Sequence, residues 1–397
     1  MDNNYAYLLI DKATKACAVV DPADPYAVLR AVDSAGCTLT HILTTHHHHD
    51  HAGGNSELCA RMREAHGRKL TVVGGRKDRV PACTMLVSDG DKVKLGETEI
   101  LVLETPCHTR GHVCYCVLGG SAGVVGGTAA GAADTEAVFS GDTVFIGGVG
   151  AFFHGNAKDM DANLNTRLAG LPDSALLFCG HEYSVDNLRF AAWLEPENLE
   201  VVSRFLVATA KRNTGESTVP STMGWERRTN PYFRARDERL KRAVDARAAW
   251  MERRRKRSVG ERLWAGLTGR GGKPVAQGPT GRKQKTDEEA PSSPALVPRD
   301  DAASAAAVYD RLQSLLSSGL WQGFKLTTGS TASVRRRATQ IAAISRSSPG
   351  MSAPLVSMQP EPNQSGTRAA FAMGDPVGGT ASSVVNLSIR DAHLGAL

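Results

Sequence analysis

THHHHDH, Thr45 to His51, packs five histidines and an aspartate into six consecutive positions, directly after the apolar run LTHIL (Leu39 to Leu43). A buried strand avoids such residues, and a solvated loop rarely gathers them. Side chains two apart on an extended segment share a face, so His46 and His48 point the same way. Asp50 and His51 follow where the chain leaves the strand, and they aim at a neighbouring point. Neutral imidazole and carboxylate suit Zn²⁺ or Fe. An affinity-tag relic would sit at a terminus and would not run on into DHAGGN. Two histidines without a third ligand predict more ligands downstream.

The chain offers them at the ends of later apolar strands: His108 in TPCHTRGH, Asp142 in FSGDTVF and His181 in FCGHEY. Each is flanked by small residues that let backbone crowd a metal. Seven ligands exceed the four of a tetrahedral zinc and suit two ions sharing a carboxylate. Taken singly, His108, Asp142 or His181 reads as structural; the four segments in this order carry the signal. His41, His112 and His154 read as structural or as partners that orient the ligands.

Around these segments, YAYLLID, ACAVVDP, LTVVGG, VCYCVLG, EAVFSGDTVF and ALLFCGHEY read as strands. KVKLGETEILVLET reads as a hairpin turning at Gly96. DPYAVLRAVDSAG is a helix with Asp24 as N-cap and Gly36 near its end, and NSELCARMREAHG is another. Such interleaving indicates an α/β or mixed layered fold. SAGVVGGTAAGAAD (Ser121 to Asp134) reads as a loop insertion. Beyond His181 the pattern turns helical, closing with a charged helix from about Asp237 to Arg257. The expected organisation is a catalytic domain over 1–183, a helical substrate-binding domain over 184–251, and a low-complexity, disordered extension over 252–397 with one helix near 304–324.

Composition narrows the function. The chain has 397 residues, 41% hydrophobic and 22% charged, as a globular protein does. Much of its net charge of +6 comes from ERRRKR (Glu252 to Arg257), read as a solvated helix face rather than a nucleic-acid surface. All eight cysteines lie in the first half without a CxxC pair, so they read as reduced thiols of an intracellular protein. No apolar run reaches the roughly 18 residues of a membrane helix, so no membrane partner is expected. The chain is expected to be a cytoplasmic monomer, with a mitochondrial or plastid location if the true start lies upstream.

THHHHDH resembles the THxHxDH signature of the metallo-β-lactamase superfamily. TPCHTRGH, SGDTVF, GHEYSVDNLRFA and VPSTM with TNPYFRARD resemble glyoxalase II, the hydroxyacylglutathione hydrolases, over roughly Asp2 to Asp237. The resemblance implies an α+β fold, an αββα sandwich with a small helical domain behind it. It places His46, His48 and His108 on one metal, Asp50, His51 and His181 on a second, and Asp142 between them. The metals are expected to be zinc, with iron or manganese as alternatives. The implied reaction is hydrolysis of S-D-lactoylglutathione, or a related lactoyl thioester, to D-lactate and free thiol by a metal-bridging hydroxide, with Asp50 and Asp142 as catalytic groups.

In the substrate region the chain departs from that family. GVGAFFHG puts Ala151 where relatives carry a Lys or Arg for the glycine carboxylate of glutathione, and Phe153 where some have Tyr. Tyr183 is kept. Arg311 in YDRLQSLL is the expected remnant of a C-terminal cation pair, with Ser314 at the lysine position. Relatives begin one strand earlier, so the outer edge of YAYLLID is expected to be open. Other readings are a persulfide dioxygenase or another hydrolase of this fold, a tRNA-processing nuclease, and a scaffold built on the fold.

Overall fold

The computed structural model describes residues 3–119, 132–268, 302–319, 321–322 and 382–388. In chain order its strands are β1 (Tyr5–Asp11), β2 (Ala16–Val20), β3 (Thr38–Leu43), β4 (Thr71–Gly75), β5 (Met85–Val87), β6 (Lys92–Leu95), β7 (Thr98–Glu104), β8 (Val113–Leu118), β9 (Thr135–Gly141), β10 (Val144–Phe145), β11 (Gly148–Val149), β12 (Leu176–Cys179), β13 (Ser221–Thr222) and β14 (Ser382–Ser388). Helices are α1 (Pro25–Ala35), α2 (His49–Ala52), α3 (Asn55–His66), α4 (Ala157–Ala162), α5 (Ser184–Leu194), α6 (Leu199–Asn213), α7 (Met223–Thr229), α8 (Glu238–Thr268) and α9 (Ala302–Ser317).

Two six-stranded sheets form, ordered β14-β1-β2-β3-β4-β5 and β13-β12-β9-β8-β7-β6. Alternation along each strand fills the layers. Tyr7 and Leu9 of β1 join Tyr115, Val117 and Phe139 in the core between the sheets. Their neighbours Leu8 and Ile10 face outward, onto Val28, Val32, Leu58 and Met62 of α1 and α3. On the far sheet Cys114, Cys116 and Val138 face Met160, Phe190, Trp193 and Tyr309. Helices therefore cover both outer faces, and the expected αββα sandwich is present. Asp24 caps α1, accepting from Tyr26 and Ala27 N–H, and Gly36 ends it at φ 58°.

The extension contributes a continued helix, a second helix and a strand. Helix α8 runs unbroken through Met251 to Thr268, because ERRRKRSVGERLWAGL is rich in good helix formers and holds no proline. The helix expected near 304–324 lies at Ala302–Ser317; Tyr309, Leu312 and Leu315 are buried in the outer core of the second sheet, against α4 and α8. The edge of β1 is not open: β14 pairs with it antiparallel from Tyr5↔Ser388 to Asp11↔Ser382. A sequence pattern shows that SSVVNLS can be a strand, but not which edge it meets. Most of the insertion expected at 121–134 lies outside the described residues.

Candidate metal centre

The seven candidate ligands come from four connections along one rim of the sandwich. His46 and His48 follow β3, and the single turn α2 carries Asp50 and His51. His108 sits between β7 and β8, Asp142 directly after β9, and His181 two residues after β12. Glycines let these connections crowd together. A Cβ on Gly150 would lie 1.9 Å from the Asp142 carbonyl oxygen, and one on Gly180 would lie 2.3 Å from Asp142 Oδ1. A Cβ on Gly54 would lie 2.2 Å from the Pro22 oxygen, which accepts the Gly54 N–H at 2.9 Å.

The side chains converge in two groups. His46, His48 and His108 offer nitrogens within 4.8 Å of one another, as do Asp50, His51 and His181 in their ligand atoms. In the first group His48 Nδ1 lies 3.0 Å from His46 Nε2 and 3.1 Å from His108 Nε2. In the second, His51 Nε2 and His181 Nε2 face each other at 3.2 Å, and Asp50 Oδ2 lies 3.5 Å from His181 Nε2. Asp142 joins them: its Oδ2 is 3.5 Å from His108 Nε2 and 3.3 Å from His181 Nε2, while Oδ1 is 3.4 Å from His51 Nε2.

The outer ring nitrogens are held by the protein, which aims the inner ones. His51 Nδ1 lies 3.0 Å from Asp21 Oδ2. Asp21 also accepts from Thr45 N–H and Oγ1, each at 2.8 Å, and Thr45 Oγ1 is 3.0 Å from His46 Nδ1. His108 Nδ1 donates to the Ala151 carbonyl at 2.9 Å, which leaves Nε2 with a lone pair. Asn4 Nδ2 donates to Asp50 O at 2.9 Å and Oδ2 at 3.1 Å. His112 Nε2 accepts the Asp142 N–H at 3.2 Å, so its Nδ1–H faces Thr105 and Thr143. It is an orienting residue, as expected. His154 is exposed, and half-buried His41 meets Thr40 instead of the centre.

Burial drives the His46 and His112 imidazoles well below their ordinary pKa. Burial raises the Asp142 carboxyl, but the neighbouring His51 and His181 imidazoles leave it well below the usual carboxylate range. His46 is thus held neutral and Asp142 ionised, the forms that bind cations. Asp142 Oδ1, buried, has no hydrogen-bond partner. An orphaned carboxylate oxygen among converging lone pairs fits divalent metal use.

The expected substrate residues divide. Tyr183 stacks on His181 with centroids 4.8 Å apart and an interplanar angle of 9°, and is 37% exposed. Phe153, 64% exposed, lies 5.1 Å from the His108 ring and 5.8 Å from that of His48. Ala151 is exposed beside them. Arg311 is elsewhere: it pairs with Asp245 of α8 and lines a groove with Met251, Arg254, Arg255 and Ser314, none of them a candidate ligand. A helical pattern gives a side chain's face but not the neighbour that face meets.

Three orienting residues are missing from the sequence reading: Asn4, Asp21 and Asp78. Asp78 pairs with His47 and accepts from Thr109 Oγ1 at 2.6 Å, pinning the His108 loop. Asp21 had a readable signal, since AVVD ends an apolar strand with an acid just as the ligand segments do.

Residues 2–181 match the family model of the metallo-beta-lactamase superfamily, and residues 182–258 match that of the hydroxyacylglutathione hydrolase C-terminus. The cytoplasmic hydroxyacylglutathione hydrolase of Arabidopsis thaliana is 41% identical over 235 residues, 59% of this chain and 85% of that protein. The hydroxyacylglutathione hydrolase of Rhodospirillum rubrum is also 41% identical over 235 residues, 59% of this chain and 84% of that protein. Among solved structures, ETHE1 from Myxococcus xanthus is 27% identical with a TM-score of 0.41, covering 58% of this chain and 80% of its own. With both family segments present in order and most of each such relative covered, the chain belongs to the hydroxyacylglutathione hydrolase family.

Proposed function

We propose that this chain hydrolyses S-D-lactoylglutathione, or a lactoyl ester of a related thiol, to D-lactate and free thiol. The observation that carries this reading is the pair of ligand groups joined by Asp142 Oδ2, with two exposed aromatic rings beside them. His46, His48 and His108 would hold one divalent ion, Asp50, His51 and His181 a second, and Asp142 would be shared. Zinc is the expected metal, and iron or manganese suits the same donors. When bound, such ions would supply Lewis acidity and lower the pKa of a bound water towards neutrality.

The chain's own residues do the rest. Asp50, its Oδ2 fixed by Asn4, would accept a hydrogen bond from the attacking water and orient it. The water oxygen bonds to the carbonyl carbon, the C–S bond then breaks, and the thiolate leaves without strong general-acid help and takes up the water's proton as free thiol. Phe153 and Tyr183 would flank the acyl–thiol portion. With Ala151 at the clamp position and Arg311 committed to Asp245, a free glycine carboxylate meets no cation from either position. Each lost charge-assisted hydrogen bond costs about 1.5–3 kcal/mol when desolvated. A carrier thiol without that carboxylate therefore fits this rim better than glutathione.

The test is hydrolysis of lactoyl thioesters by the full chain, with metal content measured alongside. Two ions per active chain, loss of turnover in chelator and its return with zinc are expected. A chain that carries two ions and leaves every lactoyl thioester intact would refute the reading.

A further inference from the structure

We propose that Cys17 and Cys37 are a modification site, a thiol pair that a hydroperoxide converts to a reversible disulfide. Their Sγ atoms lie 2.9 Å apart, inside the about 3.5–4.0 Å of ordinary van der Waals contact. A disulfide needs about 2.05 Å, so closure moves the sulfurs by less than about 1 Å. The backbone holds the pair in place. Cys17 lies in β2, Gly36 closes α1 in the left-handed region, and Thr38 N–H donates to Lys15 O at 2.8 Å, which fixes Cys37 beside the strand. Three other thiols turn elsewhere: Cys83 to Met85 O, Cys107 to Asn156 O and Cys179 to His181 O.

The two cysteines differ as an attacking and a resolving thiol should. Cys17 is fully buried, whereas Cys37 is half-buried and reachable by a small oxidant. The close contact with Cys17 holds the Cys37 thiol below its ordinary pKa, and the same contact with burial pushes Cys17 up. In the first step the Cys37 thiolate attacks hydrogen peroxide: an S–O bond forms, the O–O bond breaks and the departing hydroxide takes a proton, leaving a sulfenic acid. Cys17 then loses its proton and attacks the Cys37 sulfur, forming S–S as S–O breaks and water leaves. Two thiols and one peroxide become one disulfide and two waters. A thiol reductant reverses the step by exchange.

The bond would close a loop around α1 and tie β2 to the start of β3. β2 leads to Asp21, and β3 to Thr45 and His46, so the staple would sit beneath the orienting network of the metal centre.

Full-length protein treated with hydrogen peroxide, blocked with an alkylating agent and mapped by peptide mass should yield a Cys17–Cys37 cross-link that dithiothreitol removes. The thermal midpoint should rise by about 5–10 °C on oxidation and return on reduction. Cys17→Ser should leave a Cys37 sulfenic acid that dimedone traps, and Cys37→Ser should abolish the shift. If wild-type Cys37 stays alkylatable after peroxide, or cross-links to a thiol other than Cys17, the proposal fails, whether or not either variant folds.

Discussion

Around His46, His51 and His108 the outer nitrogen of each ring meets Thr45, Asp21 or the Ala151 carbonyl, in surroundings where almost nothing reaches solvent. The rim beside them is built otherwise. Phe153 and Tyr183 present bare ring surface, and Ala151 offers only a methyl group. A buried imidazole that lost its partner would leave an unpaired polar group, so the ligand network tolerates little change. Exposed rim residues carry no such penalty. Buried network and exposed rim are therefore separable in this chain: the first can stay fixed while the second changes.

Removing Asp142, the carboxylate between the two candidate groups, would break the buried side of this contrast most severely. Asp142→Ala should lower kcat/KM by more than about 100-fold and reduce bound metal, read by elemental analysis on folded protein. Undiminished turnover would end the two-ion reading. Asp21→Asn tests the orienting layer alone. It should cost about 10–100-fold in metal affinity, measured by chelator competition, with the ligands all present. An unchanged affinity would mean that the His51 ring is held by packing.

The rim should respond more mildly and in the other direction. Ala151→Lys should lower KM for the glutathione thioester by about 10-fold with little change in kcat, because a restored cation binds ground state and transition state alike. No change would show that the missing clamp is not what limits binding. Arg311→Ala should change KM by less than about 2-fold and stability by under about 1 kcal/mol, as for an exposed ion pair. A large KM effect would mean that α9 moves to meet substrate.

The same contrast decides what could be read from sequence. The candidate ligands were legible because a histidine or aspartate at the end of an apolar strand is costly without a purpose, and four such segments recur. Strands β1, β2, β4 and β8 were legible from continuous apolar runs. The short pieces β5, β10, β11 and β13 carry too few residues for any period to register. Asp78 was hidden because RKDR looks like an ordinary polar turn; its role exists only where the Thr109 loop meets it. Arg311 failed for the same reason, since its partner Asp245 is 66 residues away along the chain.

The pairing of β14 with β1 has a consequence for synthesis. The segment that covers Tyr5–Asp11 leaves the ribosome more than 370 residues after it, since its own first residue is Ser382. At about 5–20 residues per second, that flank waits on the order of 20 s or longer for its neighbour. Through that interval a nascent chain bears a naked hydrogen-bonding edge, the moment when a chaperone or a stray strand has its best opportunity.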